Sequence, residues 1–223
     1  MKVGSHPVSV HSYHNKIFVG LEGLSSISYK DAKLRQLDET LINNQLFVDL
    51  ESSVTSVQAC NDELYVWLGR KDLINVYDMS GTLKRAWKHC CPSKSYNKLA
   101  VVSGKVVVQS AQDETLTVYD LHGQLLKQIK CPGMSNSRSD CHKGMAVCGD
   151  NSVIVTDWKT ETVFRVNIDS GEVMWTSKHL GHPLGVVCYN DRYALVTNKK
   201  KNTSIWILDA DTGMRPFLRP TKL

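Results

Sequence analysis

The sequence predicts an all-β fold, a β-propeller built from four-stranded antiparallel blades. Three observations support this prediction. Similar segments start roughly 40 to 47 residues apart, which is the length of one propeller blade. Each segment is rich in alternating β-branched and aromatic residues, with almost no helical periodicity. Most of the segments also carry an aspartate followed by a glycine at hairpin-turn spacing.

Each repeat has the same internal order of strands. A short strand comes first, then a second and a third strand separated by a polar turn, and finally a fourth strand after an Asp-to-Gly turn. These turns are Asp78–Gly81, Asp120–Gly123 and, shifted by one residue, Asp169–Gly171 and Asp211–Gly213. The five repeats cover residues 7–50, 53–93, 95–134, 140–180 and 182–219.

A single four-stranded sheet cannot bury both of its faces, whereas blades stacked around an axis can. The repeats therefore predict one domain over residues 1–223. The ring has either five blades or six, in which case this chain is the C-terminal part of it. We expect the large residues Trp87, Trp175 and Trp206 to pack between blades.

Composition limits the class of protein. The chain has 223 residues, a formal net charge of +5 and 7 cysteines. An odd number of scattered cysteines predicts reduced thiols and no disulfide framework, and no metal site or cofactor is expected. The start of the chain has no apolar signal segment, and no apolar run is long enough to cross a bilayer. We therefore expect a cytoplasmic protein that does not contact membranes.

The last repeat, from His182 to Gly213, resembles an NHL repeat, with its His-Pro-x-Gly opening, polar turn and closing Asp and Gly. The other repeats keep the same order of strands and turns but do not keep the His-Pro-x-Gly opening. The family's Ala-Asp before the polar turn survives only as Thr156–Asp157. NHL propellers form the C-terminal domains of tripartite-motif proteins. In those proteins the RING, B-box and coiled-coil segments carry ubiquitin-ligase activity, and the propeller selects substrates or binds RNA. The resemblance therefore implies a recognition module, with no zinc-binding segment in this chain.

Meander order places the loops on two opposite rims. One rim holds the turns between second and third strands and the connections between blades; we call it the basic rim. It collects cations and aromatic rings, namely Arg70, Lys71, Lys94, Tyr96, Arg138, His142, Lys143, Trp158, Lys159, His182, Lys199, Lys200 and Lys201. The opposite rim is acidic, which hairpin-turn chemistry alone explains.

The basic rim suits an acidic or phosphorylated protein segment. It suits single-stranded RNA as the alternative, since cations hold phosphate and rings stack on bases. Trp158 stands out because an aromatic residue in an exposed turn adds little to folding. The equivalent turn of the next blade carries Lys199–Lys201, so we expect the two turns to be neighbours.

Catalysis is the third alternative, as a metal-dependent lactonase-like or quinone-dependent enzyme. Segments facing the channel offer His11, Asp140, His142 and His182, without a repeated carboxylate set. Gly171–Trp175 resembles a quinone-binding repeat, a weak motif. No GxSxG, HExxH or glycine-rich phosphate loop is present. The sequence thus favours a non-catalytic module that binds a protein ligand.

Overall fold

A computed structural model gives the fold. It describes residues 6–14, 16–22, 33–38, 44–50, 52–69, 71–90, 97–109, 114–135, 143–199 and 205–215. All regular elements in these ranges are strands, which form five antiparallel sheets in meander order. The predicted all-β propeller with five blades is confirmed.

The first four sheets have four strands each. Blade 1 contains β1 His6–Tyr13, β2 Lys16–Glu22, β3 Lys33–Asp38 and β4 Asn44–Asp49. Blade 2 contains β5 Val54–Cys60, β6 Glu63–Leu68, β7 Leu73–Asp78 and β8 Leu83–Lys88. Blade 3 contains β9 Lys98–Val102, β10 Lys105–Gln109, β11 Thr115–Asp120 and β12 Leu125–Lys130.

Blade 4 contains β13 Lys143–Val147, β14 Ser152–Asp157, β15 Thr162–Asn167 and β16 Val173–Ser177. Blade 5 contains β17 Pro183–Tyr189, β18 Tyr193–Asn198 and β19 Ile205–Asp209, so three of its strands lie in the described residues. The first strand of every blade lines the central channel. In the part of the chain described, no helix is long and apolar enough to span a membrane.

The core lies between blades rather than inside them. One apolar cluster joins blades 1 and 2 through Phe18, Leu34 and Val66, and another joins blades 2 and 3 through Tyr65 and Val106. Two further clusters join blades 3 and 4 and blades 4 and 5. Alternation along each strand therefore sends one set of side chains to the preceding blade and the other set to the next.

The tryptophans pack between blades as predicted. Trp87 of blade 2 lies under the turn of blade 3, where a Cβ on Gly123 would come 2.5 Å from the indole ring. Trp175 of blade 4 lies under Gly213 of blade 5 in the same way, and its Nε1 donates to the carbonyl of Ala210 at 2.7 Å. Both glycines have positive φ, 91° and 69° respectively, so the turn needs glycine for its backbone and for the ring beneath it.

The hairpin turns of the acidic rim are held by side chains that cap their own backbone. Oδ1 of Asp78 accepts from the hydroxyl of Ser80 at 2.5 Å and from the amides of Ser80 and Thr82 at 2.9 and 3.0 Å. The hydroxyl bond first, and then the amide bonds, lower the pKa of Asp78. Asp120 forms the same pair of bonds. In blades 4 and 5 the acceptors are Asn167 and Asp209 instead of the predicted Asp169 and Asp211. Local turn chemistry thus accounts for much of this rim's acidic character.

One prediction was wrong, because the chain contains a disulfide between Cys148 and Cys188. Cys148 follows the first strand of blade 4, Cys188 lies in the first strand of blade 5, and their Cα atoms are 5.4 Å apart. The two cysteines are 40 residues apart, about one repeat, so blade stacking brings them together. The disulfide also removes the argument from reduced thiols for a cytoplasmic setting. The described free cysteines are Cys60, Cys90 and Cys131.

Candidate functional site

The predicted basic-rim residues divide into two sets. Six lie in described parts of the chain: Lys71, Lys143, Trp158, Lys159, His182 and Lys199. The other seven lie outside the described residues: Arg70, Lys94, Tyr96, Arg138, His142, Lys200 and Lys201. Lys71 is exposed in the β6–β7 turn of blade 2, whereas the other five described residues belong to blades 4 and 5.

Trp158 and His182 form the centre of the site. Trp158 lies in the turn between β14 and β15, and His182 immediately precedes β17. Their rings stack with centroids 4.7 Å apart and an interplanar angle of 28°. Nδ1 of His182 lies 3.2 Å from the carbonyl oxygen of Trp158, which can only accept, so Nδ1 carries the proton. The same nitrogen lies 3.6 Å from the Glu161 carboxylate.

Two exposed lysines flank the stacked rings. Lys159 follows Trp158 in the same turn, and Lys199 follows β18. The amide of Lys199 donates to the carbonyl of His182 at 3.2 Å, which ties the end of β18 to the stacked pair. The turns of blades 4 and 5 are therefore adjacent. We call the surface formed by Trp158, Lys159, His182 and Lys199 the blade 4–5 patch.

A buried carboxylate supports the patch from below. The side chain of Asp157 is 1 % exposed and accepts from the amide and hydroxyl of Ser135 at 2.6 and 3.0 Å. Its Oδ1 also accepts from the amides of Lys159 and Thr160 at 3.0 and 3.2 Å. Because one carboxylate binds both the turn and the preceding connection between blades, the turn that presents Trp158 has a fixed conformation.

Lys143 belongs to this support rather than to the exposed surface. Its side chain is 1 % exposed, and Nζ lies 3.9 Å from Oδ2 of Asp157. Nζ also donates to the carbonyl of Ser135 at 3.0 Å. A buried ammonium with a carboxylate partner is compensated in the interior, so Lys143 neutralises Asp157 and does not contact solvent.

Thr156 joins blade 4 to blade 5 beneath the patch. Its hydroxyl accepts from the amide of Gly144 at 2.7 Å and donates to the carbonyl of Leu184 at 2.7 Å. A Cβ on Gly144 would collide with that carbonyl oxygen. Gly144 therefore allows the first strands of the two blades to approach closely, which sets the spacing of the rings above them.

The central channel forms a cavity of about 510 Å³. Its polar side chains include those of His11, Gln58 and Lys98, one from each of the first three blades. Burial lowers the pKa of both His11 and Lys98. Nζ of Lys98 donates to the carbonyl of Thr55 at 3.0 Å, and the residues lining the described channel include no carboxylate.

Sequence reasoning placed His11 in the channel correctly, but it missed Gln58 and Lys98. It also considered His182 for the channel, whereas His182 lies on the rim against Trp158. A polar residue in an otherwise apolar first strand would have been the signal for Lys98. Among the described residues, one group could bring three ligand atoms within 4.8 Å of one another, namely Cys148, Cys188 and Asp191, but the two cysteines are joined as the disulfide.

Comparison with known proteins identifies the fold. No protein-family model matches the chain, and no curated protein is similar to it in sequence. A structure of a nidogen/laminin complex contains a chain that is 12% identical, with a TM-score of 0.71 over 93% of this chain and 77% of that one. Catalytically inactive virginiamycin B lyase from Staphylococcus aureus, solved with quinupristin, is 13% identical, with a TM-score of 0.67 over 92% of this chain and 70% of that one.

A computationally designed protein, Ika8, is 15% identical, with a TM-score of 0.61 over 95% of this chain and 73% of that one. The three similar structures thus include a lyase, a component of a protein complex and a designed protein. At these identities the likeness shows the fold alone. This chain is a five-bladed β-propeller.

Proposed function

We propose that this chain is a non-catalytic recognition module whose blade 4–5 patch binds an acidic or phosphorylated segment of a protein ligand. The observation that carries the proposal is the patch itself. Two exposed lysines flank a stacked Trp–His pair that is held by a buried carboxylate. Cations hold carboxylates or phosphates, while a rigid aromatic ring supplies contact area at low entropic cost.

The surroundings of the Trp158 ring favour a protein ligand over RNA. One face of its indole ring is already covered by His182, whereas a base-stacking platform presents open ring faces to successive bases. The nidogen/laminin structure adds support, since it places a propeller of similar fold in a protein complex. RNA binding remains the alternative that the experiment below distinguishes.

The NHL resemblance extends the proposal to a cellular role. In a ubiquitin ligase of the tripartite-motif type, a surface of this kind selects the substrate. We propose that role for this propeller.

The test compares two charge-reversal variants of equal size. K159E/K199E reverses both lysines of the blade 4–5 patch, and K84E/K88E reverses two exposed lysines on β8 of blade 2. The probes are poly-glutamate, a peptide library with phosphoserine, and a pool of random single-stranded RNA. Binding is measured by fluorescence anisotropy over a range of salt concentrations.

We expect the protein to bind an acidic or phosphorylated peptide, and K159E/K199E to weaken that binding at least about tenfold, while K84E/K88E has little effect. Replacing Trp158 with alanine should weaken binding without changing its salt dependence. Peptide binding that is equal in both double variants would refute the patch as the site. RNA binding that is tighter than peptide binding, with a steep salt dependence, would replace the proposal by the RNA alternative.

A further inference from the structure

The register of the blades divides the lining of the central channel into levels. In every blade, the fourth residue of the second strand pairs with a first-strand residue that lines the channel. These first-strand residues are all apolar, and we call them the apolar level: Val10, Val57, Leu99, Met145 and Val186. The residues that precede them lie one step nearer the basic rim, because the first strands start at that rim. We call these the mouth level: Ser9, Ser56, Lys98, Gly144 and Gly185.

Lys98 supplies the charge at the mouth level. The two serine hydroxyls of this level are already engaged, because each accepts from a backbone amide in the first strand of the next blade, at 3.0 and 3.2 Å. Nζ of Lys98 donates to the carbonyl of Thr55 at 3.0 Å. An ammonium has three N–H groups, so Nζ can also donate to a ligand in the channel.

The described lining of the channel offers this ammonium no counter-charge. It contains Lys98 and His11 and neither an aspartate nor a glutamate. Burial lowers the pKa of Lys98, and an anion bound beside Nζ would offset the cost of desolvating the ammonium. The electrostatics of the described lining therefore suit a negatively charged ligand.

Two apolar residues of the channel are unusually exposed. Val10 of the apolar level is 64% exposed, whereas its equivalents in blades 2 and 3, Val57 and Leu99, are 4% and 3% exposed. Val187 lies one step beyond the apolar level in blade 5 and is 53% exposed. Exposed apolar surface inside a cavity favours a ligand with an apolar body.

The level beyond the apolar one has polar side chains in blades 1 and 2. His11 and Gln58 occupy equivalent positions there, and their Nε2 atoms lie 3.5 Å apart. Burial lowers the pKa of His11, so the imidazole is neutral at pH 7. This level can hydrogen-bond a neutral group, whereas a negative charge is favoured at Lys98. The two ends of the cavity therefore differ, and a ligand has one preferred orientation.

We propose that the central channel binds a small organic acid, with its carboxylate on Nζ of Lys98 and its apolar body against the apolar level. The cavity volume of about 510 Å³ is that of an ordinary ligand site, about 300–1,000 Å³. Neighbouring levels are about 3.3 Å apart, so the carboxylate and the body should be separated by one or two methylene groups. This site is separate from the blade 4–5 patch and does not depend on the proposed function.

The test uses pairs of probes that differ in charge and hardly at all in shape. Phenylacetate and phenylpropionate each carry an apolar ring, one or two methylene groups away from the carboxylate. Their primary amides have the same size and are neutral at pH 7. Binding of all four compounds is measured by isothermal titration calorimetry and by saturation-transfer NMR. The comparison of acid with amide in the wild type needs no variant.

Three single substitutions assign the roles of the lining residues. K98M removes the ammonium and keeps a side chain of similar length. V10S removes an exposed apolar side chain from the apolar level. K88M removes an exposed lysine on β8, outside the channel, and is the control for K98M. Circular dichroism and thermal melting verify that each variant folds.

We expect the wild type and K88M to bind both acids at least about tenfold more tightly than the amides. K98M should lose that preference, because its affinity for the acids falls to its affinity for the amides. V10S should weaken acids and amides by the same factor, about twofold to fivefold, since it removes apolar contact alone. K159E/K199E should bind the acids as the wild type does, which separates this site from the blade 4–5 patch.

Three outcomes would overturn the proposal. If neither acid binds to the correctly folded wild type, the channel is not a site for acids of this kind. Equal affinity of the wild type for acid and amide would show that charge plays no part in binding. Acid binding that is as strong in K98M as in the wild type would place the carboxylate away from Lys98.

Discussion

Replacing Asp157 with alanine removes the carboxylate that neutralises Lys143 in the interior. Both side chains are 1% exposed, so the buried ammonium would lose the carboxylate that lies 3.9 Å away. The amide and hydroxyl of Ser135 would lose their acceptor at the same time. We therefore expect D157A to be among the most destabilising single substitutions in blade 4.

The size of the destabilisation expected for D157A follows from these contacts. Removing one partner of a buried ion pair costs about 3–5 kcal/mol. This is a large share of the roughly 5–15 kcal/mol that stabilises a typical domain. For a chain of this length each kcal/mol shifts the melting temperature by about 2–4 °C, so D157A should melt about 6–20 °C lower. Urea denaturation followed by circular dichroism measures the free energy of unfolding.

A double-mutant cycle identifies the cause. K143M removes the ammonium, and the double variant K143M/D157A lacks both members of the ion pair. We expect the double variant to be more stable than the sum of the single effects predicts, by about 1–3 kcal/mol. Additive effects, or a D157A variant within about 1 kcal/mol of the wild type, would refute the reasoning that the pair is buried and coupled.

Three further outcomes are expected. The Cys148–Cys188 disulfide closes a loop of 40 residues, so its reduction should lower the free energy of unfolding by up to about 4 kcal/mol. Dithiothreitol should not destabilise a variant in which both cysteines are serine. The hydrogen bond from Arg85 lowers the pKa of Glu63, so this pair stabilises the fold above about pH 4.5, and the stabilisation is lost as the pH falls through the lowered pKa. E63Q should therefore flatten the acid part of the curve of stability against pH. An acid part that is unchanged in E63Q would contradict the assignment. Burial raises the pKa of the Cys131 thiol to about 12, so peptide mapping should find it unmodified by iodoacetamide at pH 8 until the protein unfolds.

The fold could be predicted from the sequence because its determinants are local and repeated. Alternating apolar residues recur in each blade and an Asp or Asn turn in blades 2 to 5, so the imperfect copies support one another. The two-residue error at the turns of blades 4 and 5 arose because Asn167 and Asp209 accept the hydrogen bonds of these turns in place of the predicted aspartates. Neighbouring carboxylates and amides cannot be ranked by propensity alone.

The site was less accessible to sequence reasoning because its determinants are not local. The turn that carries Trp158 was recognised from its own residues, but the burial of Lys143 depends on Asp157 and Ser135, which lie in other segments. The sequence did contain a signal for the disulfide, but the prediction did not use it. Two cysteines about one repeat apart, each at or near the end of a blade's first strand, come together once adjacent blades stack.

The disulfide also makes the first and the last blade unequal. Among the described residues, apolar clusters join successive blades from 1 to 5, and none joins blade 5 to blade 1. In a linear array each unit is stabilised by its neighbours, so the terminal units, with one neighbour each, open most easily. Blade 5 is covalently tied to blade 4 through Cys148 and Cys188, whereas within the described residues no such link joins blade 1 to blade 2. Local opening should therefore begin at blade 1 and move inward, which gives a chain of similar repeats a direction of unfolding.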